Sequence, residues 1–312
     1  MTAIIILNWN GADDTIDCLD SLSKAKGDFF VVVADNGSSD NSVQRIKEYI
    51  TSSSLDIKLL ENGFNYGFAK GNNIAIRYAS GYNPDSFLLL NNDTEVTPDF
   101  LTRLSEFLKI HQEYRILTPR INYYYDKHRI WNCGGYLFAG LRKYLFDDKK
   151  EYDISFKPYY RISFITGCAL FFLPDVLDSD GNLFTERFFF GEEDFNFSIR
   201  MKKNGIPMAC VADSLIYHKV SASKKGKDVV GTYYLHQLNR YIDIRLSYGP
   251  LFCFFWRIIN IPLSVFYFTR KSKSLLKALS LLRRLHKDSR NKDSVTEQDF
   301  QSLVIRGDFF QR

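Results

Sequence analysis

The chain has 312 residues, 45% of them hydrophobic, enough for one large domain alone or with a smaller appendage. Its net charge of +5 is mild and concentrated between Arg270 and Arg290, where eight cations face one acid, Asp288. Five scattered cysteines, none in CxxC spacing, exclude a disulfide framework or zinc site and point to a reducing compartment.

Ala3 to Leu7 is a continuous apolar run. It is too short for a signal peptide and reads as a strand buried on both faces. Asp13 or Asp14 would cap a helix to about Lys24. A second strand spans Phe29 to Ala34, and Asp40 or Ser39 would cap the helix to about Ile50. Ile57 to Leu60 is a third strand, Ala69 to Ala79 a third helix and Ser86 to Leu90 a fourth strand. Pro98 fits the first position of a helix to about Ile110. This alternation predicts an α/β fold with a mainly parallel sheet, which binds ligands beyond the carboxyl ends of its strands. Polar clusters follow each strand there: Asn8-Trp9-Asn10, Asp35-Asn36, Asn62-Gly63 and Asn91-Asn92-Asp93.

Residues 116 to 160 read as short antiparallel strands and a mobile loop. Phe164 to Leu173 reads as a strand, Asp194 to Asn204 as a helix ending at Gly205, and Pro207 to Ala212 as a short strand leading toward His218. Tyr233 to Ser247 reads as an amphipathic helix. Pro250 to Phe268 is apolar but interrupted by Arg257, Asn260 and Pro262, and a basic helix follows.

Asp93, at a strand's exposed end, suits Mg2+ or Mn2+, which prefer oxygen ligands; a polar turn is the plain structural alternative. Glu192, Glu193 and Asp194 open a helix. Adjacent carboxylates resist joint ionisation, so one can serve as a base near neutral pH, although acids are also ordinary in a first helical turn. His218 can ligate a metal or be purely structural. The glycine-bearing stretch Asn65 to Asn72 can present backbone amides to a phosphate beside Lys70, but it lacks the P-loop pattern.

Seven segments occur together, in order: Ile-Leu-Asn-Trp-Asn-Gly at 6–11, Val-Ala-Asp-Asn-Gly-Ser-Ser-Asp at 33–40, Asn-Tyr-Gly-Phe-Ala-Lys-Gly-Asn-Asn at 65–73, Leu-Asn-Asn-Asp-Thr at 90–94, Thr-Gly-Cys-Ala at 166–169, Phe-Gly-Glu-Glu-Asp at 190–194 and Tyr-His at 217–218. With these the chain resembles the GT-A inverting glycosyltransferases of family 2, especially bacterial rhamnosyltransferase-like members, over roughly residues 1 to 225. The resemblance implies that Asp35 contacts the nucleotide base or ribose, with Asn8, Asn10, Lys70, Asn72, Asn91 and Asn92 in the same pocket. It implies Asp93 as the last position of a DxD-type metal motif, His218 as a further metal or phosphate ligand and Asp194 as general base. Glu193 and Asn196 would lie on the acceptor side. Asn91 and Asn92 stand where the motif's earlier acids are common, and Asn196 where a second acid often follows.

The expected organisation is a catalytic domain over 1–230, with 1–115 as the nucleotide-sugar half and 116–230 as the acceptor half, then a helical region at 231–312. The expected reaction moves a sugar from a UDP- or dTDP-linked donor to a saccharide or polyprenyl-linked saccharide in cell-surface polysaccharide synthesis. The segment 250–290 would meet the cytoplasmic face of the inner membrane, with Trp256 and Tyr267 at headgroup level; a buried or oligomer-facing helix pair is the alternative. A non-catalytic nucleotide-sugar-binding scaffold and a nucleotidyltransferase are the competing functions. The joint presence of Asp93, Asp194 and His218 disfavours the first, and the non-basic Asn10-Gly11-Ala12-Asp13 disfavours the second. Aromatic and basic clusters are not interleaved as RNA binding requires, so no nucleic-acid partner is expected.

Overall fold

The computed structural model describes residues 1–220 and 228–307. Residues 221–225, the last stretch of the expected resemblance, lie outside the described residues. The first half alternates β1 (Thr2–Asn8), α1 (Ala12–Leu22), β2 (Phe29–Asp35), α2 (Ser42–Ser52), β3 (Ile57–Glu61), α3 (Gly67–Ser80) and β4 (Ser86–Leu90). Then come β5 (Thr94–Val96), α4 (Phe100–Ile110), β6 (Ile116–Tyr123), β7 (Ile130–Asn132), the hairpin β8 (Gly135–Phe138) and β9 (Leu141–Tyr144), β10 (Tyr159–Ile162) and β11 (Ala169–Phe172). The remainder is α5 (Glu193–Lys203), β12 (Met208–His218), α6 (Val229–Ser247), α7 (Pro250–Ser272), α8 (Leu275–Asn291) and the short α9 (Glu297–Phe300).

The large sheet runs β10-β12-β6-β11-β4-β1-β2-β3, with β5 on β12 and β7 on β6. From β4 to β3 it is parallel, as expected. Beyond β4 it is mixed, because β11 enters antiparallel between β4 and β6. The unbroken apolar runs have a simple cause. Ala3 and Ile5 pack into one core with α3 and α5, while Ile4 and Ile6 pack into another with α1, α2 and α4. Side chains alternate across a strand, so a strand covered on both faces needs apolar residues at every position.

Several local expectations are corrected. Gly11, not Asp13 or Asp14, precedes α1, and neither acid caps it. Asn41 precedes α2, although the Asp40 carboxylate still accepts the Ser42 N–H at 3.0 Å. Pro98 lies before the N-cap Asp99 of α4. Only Ala169–Phe172 of the 164–173 run pairs as a strand. The stretch from 116 holds a long inner strand, β6, which pairs parallel with β12. His218 is the last residue of β12 itself. In β12 the pairing with β6 shifts between Val211 and Leu215. There Ala212 donates to the Pro158 carbonyl at 2.9 Å and Ser214 to the Phe100 carbonyl at 2.8 Å.

The C-terminal helices share a third core with Leu137, Phe164, Phe188, Phe195 and Ile199. On α5, Phe195 and Ile199 face that core while Phe197 and Met201 face the sheet, so the helix is clamped from both sides. The interruptions expected in 250–268 do not break α7. Asn260 donates to the Trp256 carbonyl at 3.0 Å, the Arg257 guanidinium sits 6.0 Å from the Tyr241 ring centroid, and Pro262 is inside the helix. Trp256 is not at a surface: it is buried, with its indole N–H 3.3 Å from the Gly140 carbonyl.

Candidate active site

The parallel register sets Asn8 beside Asp35 at the carboxyl ends of β1 and β2. Asn8 is fully buried; its amide donates to Asp35 at 2.7 Å and to Ser38 Oγ at 3.2 Å, and its oxygen accepts from Thr15 at 2.8 Å. Asp35 also accepts the Ser38 hydroxyl at 2.5 Å and the Ser38 N–H at 2.9 Å. Asn8 therefore orients Asp35 and keeps no open edge of its own. Asn10 is exposed in a left-handed conformation (φ 50°), and its side-chain oxygen accepts the Ser39 N–H at 2.8 Å. Asn92 joins the same network through Thr15 Oγ1 at 3.1 Å.

The loop into α3 closes over Asn36, which donates to Asn65 and to the Gly67 carbonyl at 3.0 and 3.1 Å. Gly67 has φ +78°, and a Cβ there would stand 2.2 Å from the Phe189 carbonyl oxygen. Lys70 is half-exposed, 4.9 Å above the Tyr66 ring and 3.9 Å from Glu186. Asn72 is buried inside α3, donating to the Phe68 carbonyl at 2.8 Å, so it is held apart from this open edge.

Asp93 follows β4 and meets His218 at the end of β12, with Nε2 3.0 Å from Oδ1. Both are buried, the Trp131 ring packs edge-on to the imidazole at 4.3 Å, and His218 Nδ1 has no partner among the described residues. A carboxylate against an imidazole fits a hard divalent ion that takes its remaining ligands from phosphate and water. It does not make a complete cage, and no group of three or more metal-ligating side chains occurs among the described residues.

A cleft of about 360 Å³ joins these elements to the acidic segment. Asn91, Trp131, Thr166 and Gly167 line one part, and Arg142, Glu192, Glu193, Asp194 and His236 another. Asp93 is not itself in the lining; Trp131 connects it there through His218. Main-chain bonding fixes the junction: the Asn91 N–H donates to the Cys168 carbonyl at 2.8 Å.

The three acids have different environments. Glu192, left-handed at φ 69°, precedes α5 and is 3% exposed. Burial would push its pKa up, but Arg240 and Arg142 overcome that and hold the carboxylate well below its usual range. Arg240 grips both carboxylate oxygens at 2.8–3.1 Å, Arg142 stands 3.4 Å away and His236 Nδ1 3.3 Å away. Glu193 is buried, accepts the Gly191 N–H at 2.7 Å, and is pushed up to about 8, chiefly by burial. Asp194 is partly open, and burial raises its pKa while Arg142, 4.0 Å away, opposes the rise. Asn196 points elsewhere: it is buried and donates to Asp243 of α6 at 2.7 Å. Asp147 also lines the cleft.

Arg142, His236 and Arg240 were missed from sequence. His236 and Arg240 do carry a faint signal, being four apart on one helix face.

Comparison with known proteins adds to this geometry. The chain is 33% identical over 122 residues to the low-salt glycan biosynthesis hexosyltransferase Agl10 of Haloferax volcanii; the match spans 38% of this chain and 36% of that relative, about a third of its length. GalNAc-T7, solved with UDP, GalNAc and Mn2+, superposes with a TM-score of 0.61 at 15% identity over 100% of this chain and 57% of that one. The mannosyltransferase PcManGT from Pyrobaculum calidifontis, solved with GDP-Man and Mn2+, gives 0.58 at 13% identity over 93% and 79%. S. aureus TarS 1-349 gives 0.54 at 15% identity over 100% and 92%. At these identities the likeness is one of fold, the GT-A fold of glycosyltransferases. The model of the glycosyl transferase family 2 matches residues 3–180, more than half of the chain, and the chain belongs to that family.

Proposed function

We propose that the chain transfers a sugar, with inversion, from a UDP- or dTDP-linked donor to a saccharide or polyprenyl-linked saccharide in cell-surface polysaccharide synthesis. The observation that carries this reading is the single cleft lined both by Asn91, at the end of β4, and by Asp194. Asp35 and Asn10 would receive the nucleotide, with Lys70 at the start of α3 beside its phosphates. Asp93 and His218 would hold Mg2+ or Mn2+, which when bound neutralises charge on the departing diphosphate. Neighbours of this fold that were solved with Mn2+ support that choice of ion.

Asp194 is the general base in this reading. Glu192 is occupied by Arg240 and Arg142, and Glu193 accepts the Gly191 N–H, so Asp194 is the acid of the three left to take a proton. Its raised pKa suits it to the task, because a base works best near the operating pH. It would take the acceptor hydroxyl's proton as that oxygen attacks the anomeric carbon opposite the diphosphate, and one displacement inverts the centre. Glu193 would stand on the acceptor side. Five free cysteines agree with a cytoplasmic setting.

Asp194→Asn provides the test. Transfer should fall about 10²–10⁴-fold, while donor binding, read as Mn2+-dependent thermal stabilisation by nucleotide sugars, stays intact. Undiminished transfer, or a product retaining the donor's anomeric configuration, would overturn the assignment.

A further inference from the structure

Helix α7 is amphipathic in an inverted sense. Its protein-facing side carries Trp256, Asn260, Ser264 and Phe268, spaced four apart and all buried. Its outward side carries Leu251, Phe254, Phe255, Ile258, Ile259 and Phe266, each more than half exposed. The apolar stripe continues onto α8 at Leu276, which is 81% exposed. A contiguous stripe of large apolar side chains turned to solvent marks a surface that meets something apolar.

We infer that α7 and the start of α8 lie in the plane of an anionic lipid bilayer, with the outward side of α7 sunk into the boundary between headgroups and acyl chains. Charge selects this occupant. No Asp or Glu occurs between residues 250 and 287, and exposed Arg270, Lys271 and Lys273 stand where the two helices join. Anionic headgroups satisfy such a rim. A second copy would set the same cations against each other. A crossing orientation is disfavoured as well. By length and composition α7 could span a membrane, but α8 packs along it and would carry Arg283 and Lys287 toward hydrocarbon, where charge is expensive. The inference rests on this face alone, independent of the donor and the base.

The test is flotation of the full chain with phosphatidylcholine vesicles, with and without phosphatidylglycerol. Binding should require the anionic lipid and weaken in high salt. The combined substitution Phe254→Ser, Ile258→Ser and Phe266→Ser should lower binding at least about tenfold. Reversing Arg270, Lys271 and Lys273 to Glu should lower binding to the anionic vesicles about a hundredfold. Because these side chains lie on the solvent side, melting temperature should hold and shows that the variants fold. Equal vesicle binding by the serine variant would overturn the inference. So would a vesicle-free dimer that the serine substitutions dissociate.

Discussion

Arg240→Met tests whether the acidic segment is held by α6. The Glu192 side chain is 1% exposed and Arg240 14%, so water can replace little of what is lost. Breaking a buried pair by removing one partner costs roughly 3–5 kcal/mol. Arg142 at 3.4 Å and His236 at 3.3 Å remain, which places the expected loss near the lower end, about 3 kcal/mol. The pH dependence is more discriminating. In the parent chain the Glu192 pKa is depressed, so its contribution is fully present above the ordinary glutamate value of 4.5 and is lost only as pH falls below it. Without Arg240 the largest opposition to burial is gone and the folded pKa rises. Relative to the parent, the variant then loses less as pH falls toward and below the ordinary glutamate value of 4.5, and the gap between the two proteins narrows. Urea unfolding at several pH values reads both quantities, and adding Glu192→Gln should restore much of the loss and flatten its pH dependence. A loss below about 1 kcal/mol at neutral pH, or a gap that stays constant as pH falls, would refute the reasoning.

Gly67→Ala combines a left-handed backbone with a clash, since its Cβ would meet the Phe189 carbonyl at 2.2 Å, whereas Gly63→Ala at φ +70° meets nothing within 4 Å. The first should cost clearly more than the second, for which only the backbone penalty of about 1–2 kcal/mol applies; equal losses in thermal unfolding would show that the α3 loop yields freely. Arg142→Gln removes the cation that opposes burial at Asp194, so the acidic limb of the kcat/KM profile should move to higher pH. An unmoved or lowered limb would mean that Asp194 does not control it.

The first four strands were legible because each is covered on both faces, which imposes unbroken runs such as Ile4-Ile5-Ile6. β6 was harder to see: it carries Pro119 and Arg120 and finds β12 more than ninety residues later, a pairing that no local pattern announces. α7 looked broken because Arg257 and Asn260 are polar, yet one rests near the Tyr241 ring and the other bonds within its own helix. Among site residues, Asp93, His218 and Asp194 stood out by residue type at element ends. Arg142 and Arg240 did not, because an arginine acquires its meaning only from the buried Glu192 opposite it. Asn72 and Asn196 show the reverse, since polar residues inside helices were satisfied by Phe68 and Asp243.

The irregular turn in the last sheet strand acts as a phase shifter. Between Val211 and Leu215 three residues intervene where the neighbouring strand has none between Pro119 and Arg120, an odd excess that reverses the up-and-down order of everything beyond. Beyond it His218 pairs with Tyr123, and its imidazole meets Asp93 at 3.0 Å. A one-residue deletion that slipped Leu215–His218 by one position against β6 would turn the histidine to the other face of the sheet. A chain trimmed and slipped in this way would keep the same motifs and lose the contact between His218 and Asp93.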